Sequence, residues 1–336
     1  MGHRASYVVV ENRSPAFGYS HWGAVSIPET VLSGPEETVS YIRALESDDH
    51  LLDTTWAEGG ILVDMDTRTL IFHGGGDITI FPYLRRMLLL ALRRLWPGWT
   101  VDYARFGMAD FARHLGLDIA TVLTDDPQGD TRAITLAELS DPHPEFETCV
   151  LTVTWPDGTI SDYRLAFYAH MIAALGPDLL SVLQQREPVA FPHEREKTLY
   201  KACLDDGLYI DVPNKAIWLW DASQLDPRWL EEIGHAWPTW RVDGHIEGVV
   251  RQAVLSGRDP TPFMVPDAEA ARELVAILSS GWSIDPGALF KLAISNPPPG
   301  TQHIEVASGF LRADPPTLTA DERRKLLEHV LWDILG

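Results

Sequence analysis

The stretch LWPGWTVD, at residues 95–102, decides the fold because the chain contains a close copy of it, AWPTWRVD, at residues 236–243. Each copy follows an amphipathic segment with the apolar spacing of a helix. Proline ends the helix and favours a turn, and the residues after the second tryptophan favour a strand. The order helix, Trp-Pro turn, strand therefore occurs twice, which predicts an internal duplication.

The elements before the two Trp-Pro turns also correspond. In each half, a strand with a Gly-apolar-Asp pattern, at residues 60–64 and 207–211, begins a hairpin. An earlier hairpin and a helix precede that strand in both halves, and a short helix follows the Trp-Pro turn. Two rounds of this order predict an α+β fold of tandem duplicated hairpin–helix units with antiparallel sheets. We also expect Trp99 and Trp240 to be buried in the cores.

Breaks in this pattern divide the chain into four segments. Residues 1–120 are predicted to form the first α+β repeat, and residues 148–258 the second. The stretch 121–147 contains many acidic residues, prolines and a glycine, which is typical of a connector. Residues 259–336 are predicted to form a C-terminal extension with helices and a strand.

The composition excludes several classes of function. The chain has 336 residues, of which 45% are hydrophobic and 22% charged, as in globular proteins. Its net charge of −21 argues against nucleic-acid binding and against anionic membranes, both of which need clustered Lys and Arg. The N-terminus lacks a signal-peptide pattern and no apolar run reaches the length of a membrane span, so we expect a cytoplasmic protein.

The first candidate site lies at the ends of the hairpins in the first repeat. Ser20, His21 and Trp22 place a hydroxyl, an imidazole and an indole side by side, which suits ligand binding or acid–base chemistry. An ordinary strand end with a structural aromatic residue is the simpler interpretation. Ser20 and His21 should point to opposite faces, which argues against a nucleophile–base pair. Glu58 precedes two glycines, which leave room for a ligand or mark a β-bulge.

His73 and Asp77 flank three glycines, residues 74–76, between a predicted strand and a predicted helix. A phosphate site is one interpretation of this context, but the segment lacks the P-loop ending and the GxGxxG order, which favours a plain loop. Asp64 and Asp66 are explained by turn hydrogen bonds better than by a metal. The twelve histidines form no HExxH or HxH motif, so we predict no metal and no cofactor.

The sequence favours a binding protein over an enzyme, because the chain is strongly acidic and contains no catalytic motif. The specific hypothesis is a bacterial immunity protein that neutralises a basic toxin by electrostatic association. The acidic connector, with Asp125 and Asp126, is the predicted contact region. The alternative is an enzyme of unassigned class whose site lies at the hairpin ends around His21, Glu58 and His73.

Overall fold

The structure, a computed structural model, describes residues 3–124, 134–140, 149–189, 206–280, 291 and 318–335. The chain divides into two compact units. The first unit comprises Met1–Thr79, Leu84–Asp125 and Asp267–Gly336, and the second comprises Ile80–Tyr83 and Asp126–Pro266. The residues from Asp267 onward therefore belong to the first unit.

The elements within the described residues follow in chain order. The strands are β1 (Ala5–Glu11), β2 (Ser14–Ser20), β3 (Glu46–Asp48), β4 (Gly59–Asp64), β5 (Thr69–His73), β6 (Thr100–Tyr103), β7 (Cys149–Thr154), β8 (Ile160–Leu165), β9 (Asp206–Asp211), β10 (Ala216–Asp221) and β11 (Arg241–His245). The helices are α1 (Ile27–Val31), α2 (Pro35–Arg43), α3 (Asp77–Ile80), α4 (Pro82–Leu95), α5 (Met108–Leu115), α6 (Leu136–Ser140), α7 (Ala169–Ala173), α8 (Asp178–Gln185), α9 (Pro227–Ala236), α10 (Gly248–Leu255), α11 (Asp267–Leu278), α12 (Ala320–Val330) and α13 (Trp332–Leu335). None of these helices is long and apolar enough to cross a bilayer.

The strands form two sheets that share one order. The first is β3-β2-β1-β4-β5-β6, and the second, read in the same direction, is β8-β7-β9-β10-β11. The α+β class and its tandem units are thus confirmed, with β3 as an additional edge strand in the first unit.

The sheets are mixed, whereas the sequence predicted antiparallel ones. Each hairpin is antiparallel, but β4 pairs with β1, and β9 with β7, in parallel. The physical reason is the helical connection between hairpins, which returns the chain to the end of the sheet where it began. The same reason applies to β6 and β11, which follow a helix and pair in parallel with β5 and β10.

The duplication extends to the details of the Trp-Pro turns. The indole of Trp96 donates a hydrogen bond to the carbonyl oxygen of Val31 at 2.8 Å, and that of Trp237 donates to Ala173 at 2.6 Å. Both therefore fasten the end of a long helix to the short helix that follows the first hairpin of their own unit.

The backbone conformation of the turns is repeated as well. Gly98 and Thr239, at equivalent positions, have φ values of 77° and 74°. This left-handed conformation is rare for threonine, so the turn geometry has been kept although the glycine has not. Arg68 and Lys215, which close the preceding hairpins, match in the same way at 53° and 48°.

The buried tryptophans of the turns are Trp96 and Trp237, both fully buried. Trp99 and Trp240 are only half-buried and contact the first pair edge-on, with ring centroids 5.0 and 4.7 Å apart. The prediction that Trp99 and Trp240 would be buried is therefore wrong. Trp96 follows Leu92 by one helical turn and so continues the apolar stripe of α4.

The core of the first unit beneath α5 is apolar. Val8 of β1 lies opposite Phe17 of β2, and Leu62 of β4 and Phe111 of α5 belong to the same cluster. Large apolar side chains packed in this way supply the main driving force for folding.

The second unit has polar side chains at the equivalent positions. Thr152 lies opposite Asp162 and donates a hydrogen bond to it at 2.7 Å. Gln252 of α10 donates to the Thr152 hydroxyl at 2.7 Å and accepts from the indole of Trp220. Arg258 donates to Asp162 at 2.7 Å. These five residues form a connected polar network, most of it buried.

The C-terminal helices lie along α4 in the first unit. Arg86 of α4 contacts Asp267 of α11 at 2.5 Å, and Arg94 contacts Asp333 of α13 at 2.7 Å. A capping box of Thr319 and Glu322 begins α12. The strand predicted in the C-terminal extension, residues 303–310, lies outside the described residues.

Candidate functional site

The predicted site residues Ser20, Glu58 and His73 meet at one end of the first sheet. Ser20 ends β2 opposite Ala5, Glu58 directly precedes β4, and His73 ends β5 opposite Gly60. The parallel pairing of β1 with β4 produces this convergence, because it brings the first residues of both strands to the same end of the sheet. Ser20 and His73 end the antiparallel partners of these two strands and therefore lie at that end as well.

Glu58 forms a carboxylate–imidazole pair with His3, which the sequence did not indicate. The His3 Nδ1 atom lies 2.6 Å from Oε2 of Glu58, and both side chains are about half exposed, at 48% and 49%. The ring of Trp22 lies 6.4 Å from that of His3. His3 stands just before β1, so foreseeing this pair required knowing that β1 and β4 are parallel neighbours.

Ser20 and His21 each make a contact within the strand end itself. The Ser20 hydroxyl accepts a hydrogen bond from the backbone N–H of Trp22 at 3.2 Å. His21 is buried and meets Tyr19 edge-on, with ring centroids 5.4 Å apart. These contacts agree with the simpler interpretation, in which the strand end is structural.

His73 faces α5 and not the Glu58 pair. Its Nε2 atom lies 3.1 Å from the sulfur of Met108, and its ring contacts Phe111 edge-on at 5.5 Å. The side chain is 2% exposed. Burial lowers the pKa of His73 from its ordinary value near 6.5 to about 4, so the ring is neutral at physiological pH.

The glycines after His73 are explained by close packing. A Cβ on Gly74 would lie 2.7 Å from Cα of Gly59, and one on Gly75 would lie 2.6 Å from Cδ of Pro28. The Thr79 hydroxyl donates a hydrogen bond to the carbonyl oxygen of Gly74 at 2.8 Å, which fixes the segment. Such contacts favour a structural role over a phosphate cradle.

The other predicted site residues fall elsewhere. Asp77 begins the short helix α3. Asp125 and Asp126 lie outside the described residues. Asp64 acts within its turn, as expected: it accepts hydrogen bonds from the backbone of Asp66 at 2.9 Å and Thr67 at 3.0 Å.

Asp64 also contacts a helix of its own unit. The His114 Nε2 atom lies 2.8 Å from Oδ2 of Asp64. Burial opposes ionisation of Asp64, but the hydrogen bonds from Thr67 and His114 outweigh it, and the pKa of the carboxyl is lowered. This buried carboxylate therefore holds α5 to the end of β4.

Cys149 is buried in β7. Burial raises the pKa of its thiol, and the neighbouring Asp206 raises it further. Asp206 in turn accepts a hydrogen bond from the backbone N–H of Ala169 at the start of α7, at 2.7 Å. The thiol is therefore protonated and inert, as expected for a structural cysteine.

A second polar cluster lies on the edge strand β3 and in the two residues after it, and the sequence analysis did not predict it. Glu46 and Asp49 are exposed, and Asp48 is half-buried. Asp48, Asp49 and His50 place their oxygen and nitrogen atoms within 4.8 Å of one another. Hydrogen bonds within the cluster, such as His50 Nδ1 to Asp49 at 2.6 Å, account for this spacing. The available signal was the local density of acidic residues between 46 and 53.

The neutral state of His73 leads to a prediction about pH. The unfolded chain binds more protons than the folded chain between about pH 6.5 and pH 4, so stability falls as the pH decreases through this window. For a fully buried histidine the loss is on the order of 3 kcal/mol. His73→Leu should flatten the stability profile measured by urea unfolding at pH 7 and pH 4.5.

The exposed His235 supplies the control for this measurement. His235→Gln should leave the pH profile unchanged. His170, whose pKa is also lowered to about 4 by burial, keeps a residual slope of the same sign in both variants. If the stability profile of His73→Leu matches that of the wild type, His73 must already be protonated in the folded protein at pH 4.5, which would contradict this prediction.

Comparison with known proteins gives no match to a family model, to a curated protein or to a solved structure.

Proposed function

We propose that this protein binds a basic partner protein through an acidic surface, with the edge strand β3 as the contact. The observation that supports this proposal is the placement of Glu46 and Asp48 on the outermost strand of the first sheet, with Asp49 directly after it. The exposed carboxylates there are positioned to meet another molecule.

Two neighbouring groups respond to the charge of this strand. Burial raises the pKa of Tyr19, and the hydrogen bond and charge of Glu46 and the charge of Asp48 raise it further. The hydrogen bond from His50 to Asp49 raises the pKa of the imidazole despite burial, with further contributions from nearby carboxylates. Both shifts have the sign expected for a negative local potential.

Many of the arginines pair with carboxylates within their own unit. The pairs are Arg43–Glu11, Arg86–Asp267, Arg94–Asp333, Arg113–Asp110, Arg228–Asp226 and Arg258–Asp162. Their charges are neutralised locally, and the net charge of −21 is left to the remaining carboxylates. Such a surface attracts a basic partner over long range and accelerates its association.

The most specific form of the proposal is a bacterial immunity protein that neutralises a basic toxin. Rapid electrostatic capture suits that task, because a toxin must be bound before it acts. A competing explanation of the charges on β3 is protection of a sheet edge against pairing with another chain. Kinetic measurements with charge variants distinguish the two.

The test uses the full chain and a panel of purified basic toxin domains in surface plasmon resonance. Raising the salt from about 0.05 M to about 0.5 M shortens the Debye length from about 14 Å to about 4 Å, so the on-rate should fall about tenfold or more. Glu46→Gln with Asp49→Asn should reduce the on-rate at low salt. The matched control, Glu36→Gln with Glu37→Gln on α2, removes the same charge and should have little effect.

A second candidate function is an enzyme, and the half-exposed pair of His3 and Glu58 favours it. A carboxylate that orients an imidazole is a common arrangement for proton transfer. Under this alternative, Glu58→Gln and His3→Ala would abolish turnover in a screen of chromogenic esters, phosphoesters and glycosides. Under the binding proposal, Glu58→Gln and His21→Ala leave partner association nearly unchanged. Toxin binding lost in Glu58→Gln but kept in the β3 variant would contradict the proposal.

A further inference from the structure

His50 follows the acidic edge strand β3 and lies beside two carboxylates. Its Nδ1 atom is 2.6 Å from Oδ1 of Asp49 and 3.0 Å from Oδ1 of Asp48. An ionised carboxylate only accepts hydrogen bonds, so Nδ1 carries the hydrogen of the neutral ring and both carboxylates accept from it. A further proton must therefore go to Nε2. The side chain is 66% exposed, so water can deliver and remove that proton.

Backbone contacts hold this arrangement in the folded protein. Asp48 is paired with Phe17 of β2 in the antiparallel register of the sheet. Its carboxylate accepts a hydrogen bond from the backbone N–H of Asp49 at 2.7 Å, which fixes the two acidic residues relative to each other. Asp53, just before the next turn, accepts from the backbone N–H of Thr55 at 2.9 Å. The imidazole therefore faces acidic groups whose positions depend on the folded sheet edge.

Three carboxylates act on the imidazole, those of Asp49, Asp48 and Asp53. The hydrogen bond with Asp49 raises the pKa of His50 most, burial lowers it, and the charges of the three carboxylates raise it further. The result is a pKa above the ordinary histidine value near 6.5. His50 therefore changes its charge near neutral pH, in the range where histidine acts as a physiological switch.

The neighbouring strand β2 places the phenol of Tyr19 beside β3, in register with Glu46. Burial raises the pKa of Tyr19, the hydrogen bond and charge of Glu46 raise it further, and Arg4 opposes the shift. The phenol therefore remains neutral while His50 changes its charge. Ordinary carboxylic acids are ionised above about pH 6. The protonation of His50 thus controls how much net negative charge this strand presents near neutral pH.

We propose that His50 makes the β3 contact pH-dependent, so that a basic partner binds more tightly when the imidazole is neutral and less tightly after mild acidification. Protonation places a positive charge among the carboxylates that attract the partner, which weakens the attraction. Linkage requires the reverse effect as well: a bound cation favours the neutral imidazole and lowers the pKa of His50. The inference rests on the proposed function, because it concerns the regulation of the same edge strand.

The test uses the full chain and a rhodamine-labelled peptide of about six lysines as the basic probe, at low salt. Lysine titrates at about pH 10.4, so the peptide keeps its charge while the pH is lowered from about 8.5 to about 6. The affinity measured by fluorescence anisotropy should fall over this range, and about twofold or more of the fall should be absent in His50→Gln. Glutamine is neutral at both pH values and replaces an exposed ring, so the variant should fold.

His235→Gln is the matched control, since it removes an exposed imidazole from the second unit. Its affinity for the peptide should fall with pH as that of the wild type does. The second readout is the NMR titration of the imidazoles themselves. Saturating peptide should lower the pKa of His50, and by more than that of His235, because linkage ties this change to the pH dependence of the affinity.

An equal pH dependence of the affinity in the wild type and in His50→Gln would overturn the inference, and so would a pKa of His50 that the peptide leaves unchanged. In either case, a loss of affinity in Glu46→Gln with Asp49→Asn would still support β3 as the contact, so the proposed function would stand. Peptide binding that neither His50→Gln nor the double β3 variant changes would overturn both.

Discussion

Replacing Trp96 by alanine is expected to lower the free energy of unfolding by about 3–5 kcal/mol, as for other large aromatic side chains removed from a core. The indole is fully buried, and its N–H is the partner of the Val31 carbonyl oxygen at 2.8 Å. Trp237→Ala should cost a similar amount, because Trp237 bonds to Ala173 in the same way. Urea unfolding followed by circular dichroism measures both effects.

Trp99→Ala is the control within the same turn. Its ring is half-buried and makes an edge contact with Trp96, so its loss should cost clearly less. If the alanine variant of Trp96 fails to fold, Trp96→Phe keeps most of the volume and should cost about 1–3 kcal/mol for the lost hydrogen bond and the orphaned carbonyl. A cost for Trp96→Ala no greater than that for Trp99→Ala would contradict the assignment of Trp96 as the anchor.

Arg258→Ala is expected to cost about 3 kcal/mol, because it leaves the carboxylate of Asp162 buried without its cation. Asp162 is 4% exposed, and Thr152 also donates a hydrogen bond to it. Asp162→Ala should cost less, since the partly exposed guanidinium can turn to water. The double variant should cost less than the sum, with a coupling energy of about 1–3 kcal/mol in a double-mutant cycle.

An exposed pair in the first unit serves as the reference. Arg43 and Glu11 are 2.7 Å apart with both side chains 53% exposed, and their coupling should be under about 1 kcal/mol. Arg258→Lys should recover only part of the stability, because lysine cannot donate to both oxygens of Asp162 in a fixed plane. If the Asp162–Arg258 coupling does not exceed that of Arg43–Glu11, the network in the second unit contributes no special stability.

The sequence was sufficient to predict the duplication, the hairpins and the α+β class. The Trp-Pro turns and the alternating strands are local patterns, and local patterns are expressed in the sequence. The pairing of one hairpin with the next depends on the path of the connecting helix, which no local pattern encodes. One sign was available: the apolar runs of β4 and β9 lack alternation, as expected for central strands buried on both faces.

The site residues were predictable only in part. Glu58 lies at the end of the sheet, but its partner there is His3, 55 positions away in sequence, which no local pattern indicates. His73 was chosen for the glycines beside it, and those glycines serve close packing.

The contact of α11 and α13 with α4 has a consequence for biosynthesis. The contacts that cover this side of α4, residues 82–95, come from Asp267 of α11, Val330 of α12 and Asp333 of α13, which leave the ribosome much later. The second unit lies wholly between these segments in translation order, apart from residues 80–83, and can acquire its structure while the first still awaits its outer layer. The usual order, in which the N-terminal part is finished first, is thus reversed. Nascent chains should therefore expose the side of α4 that carries Arg86 and Arg94 until α11, α12 and α13 have been made.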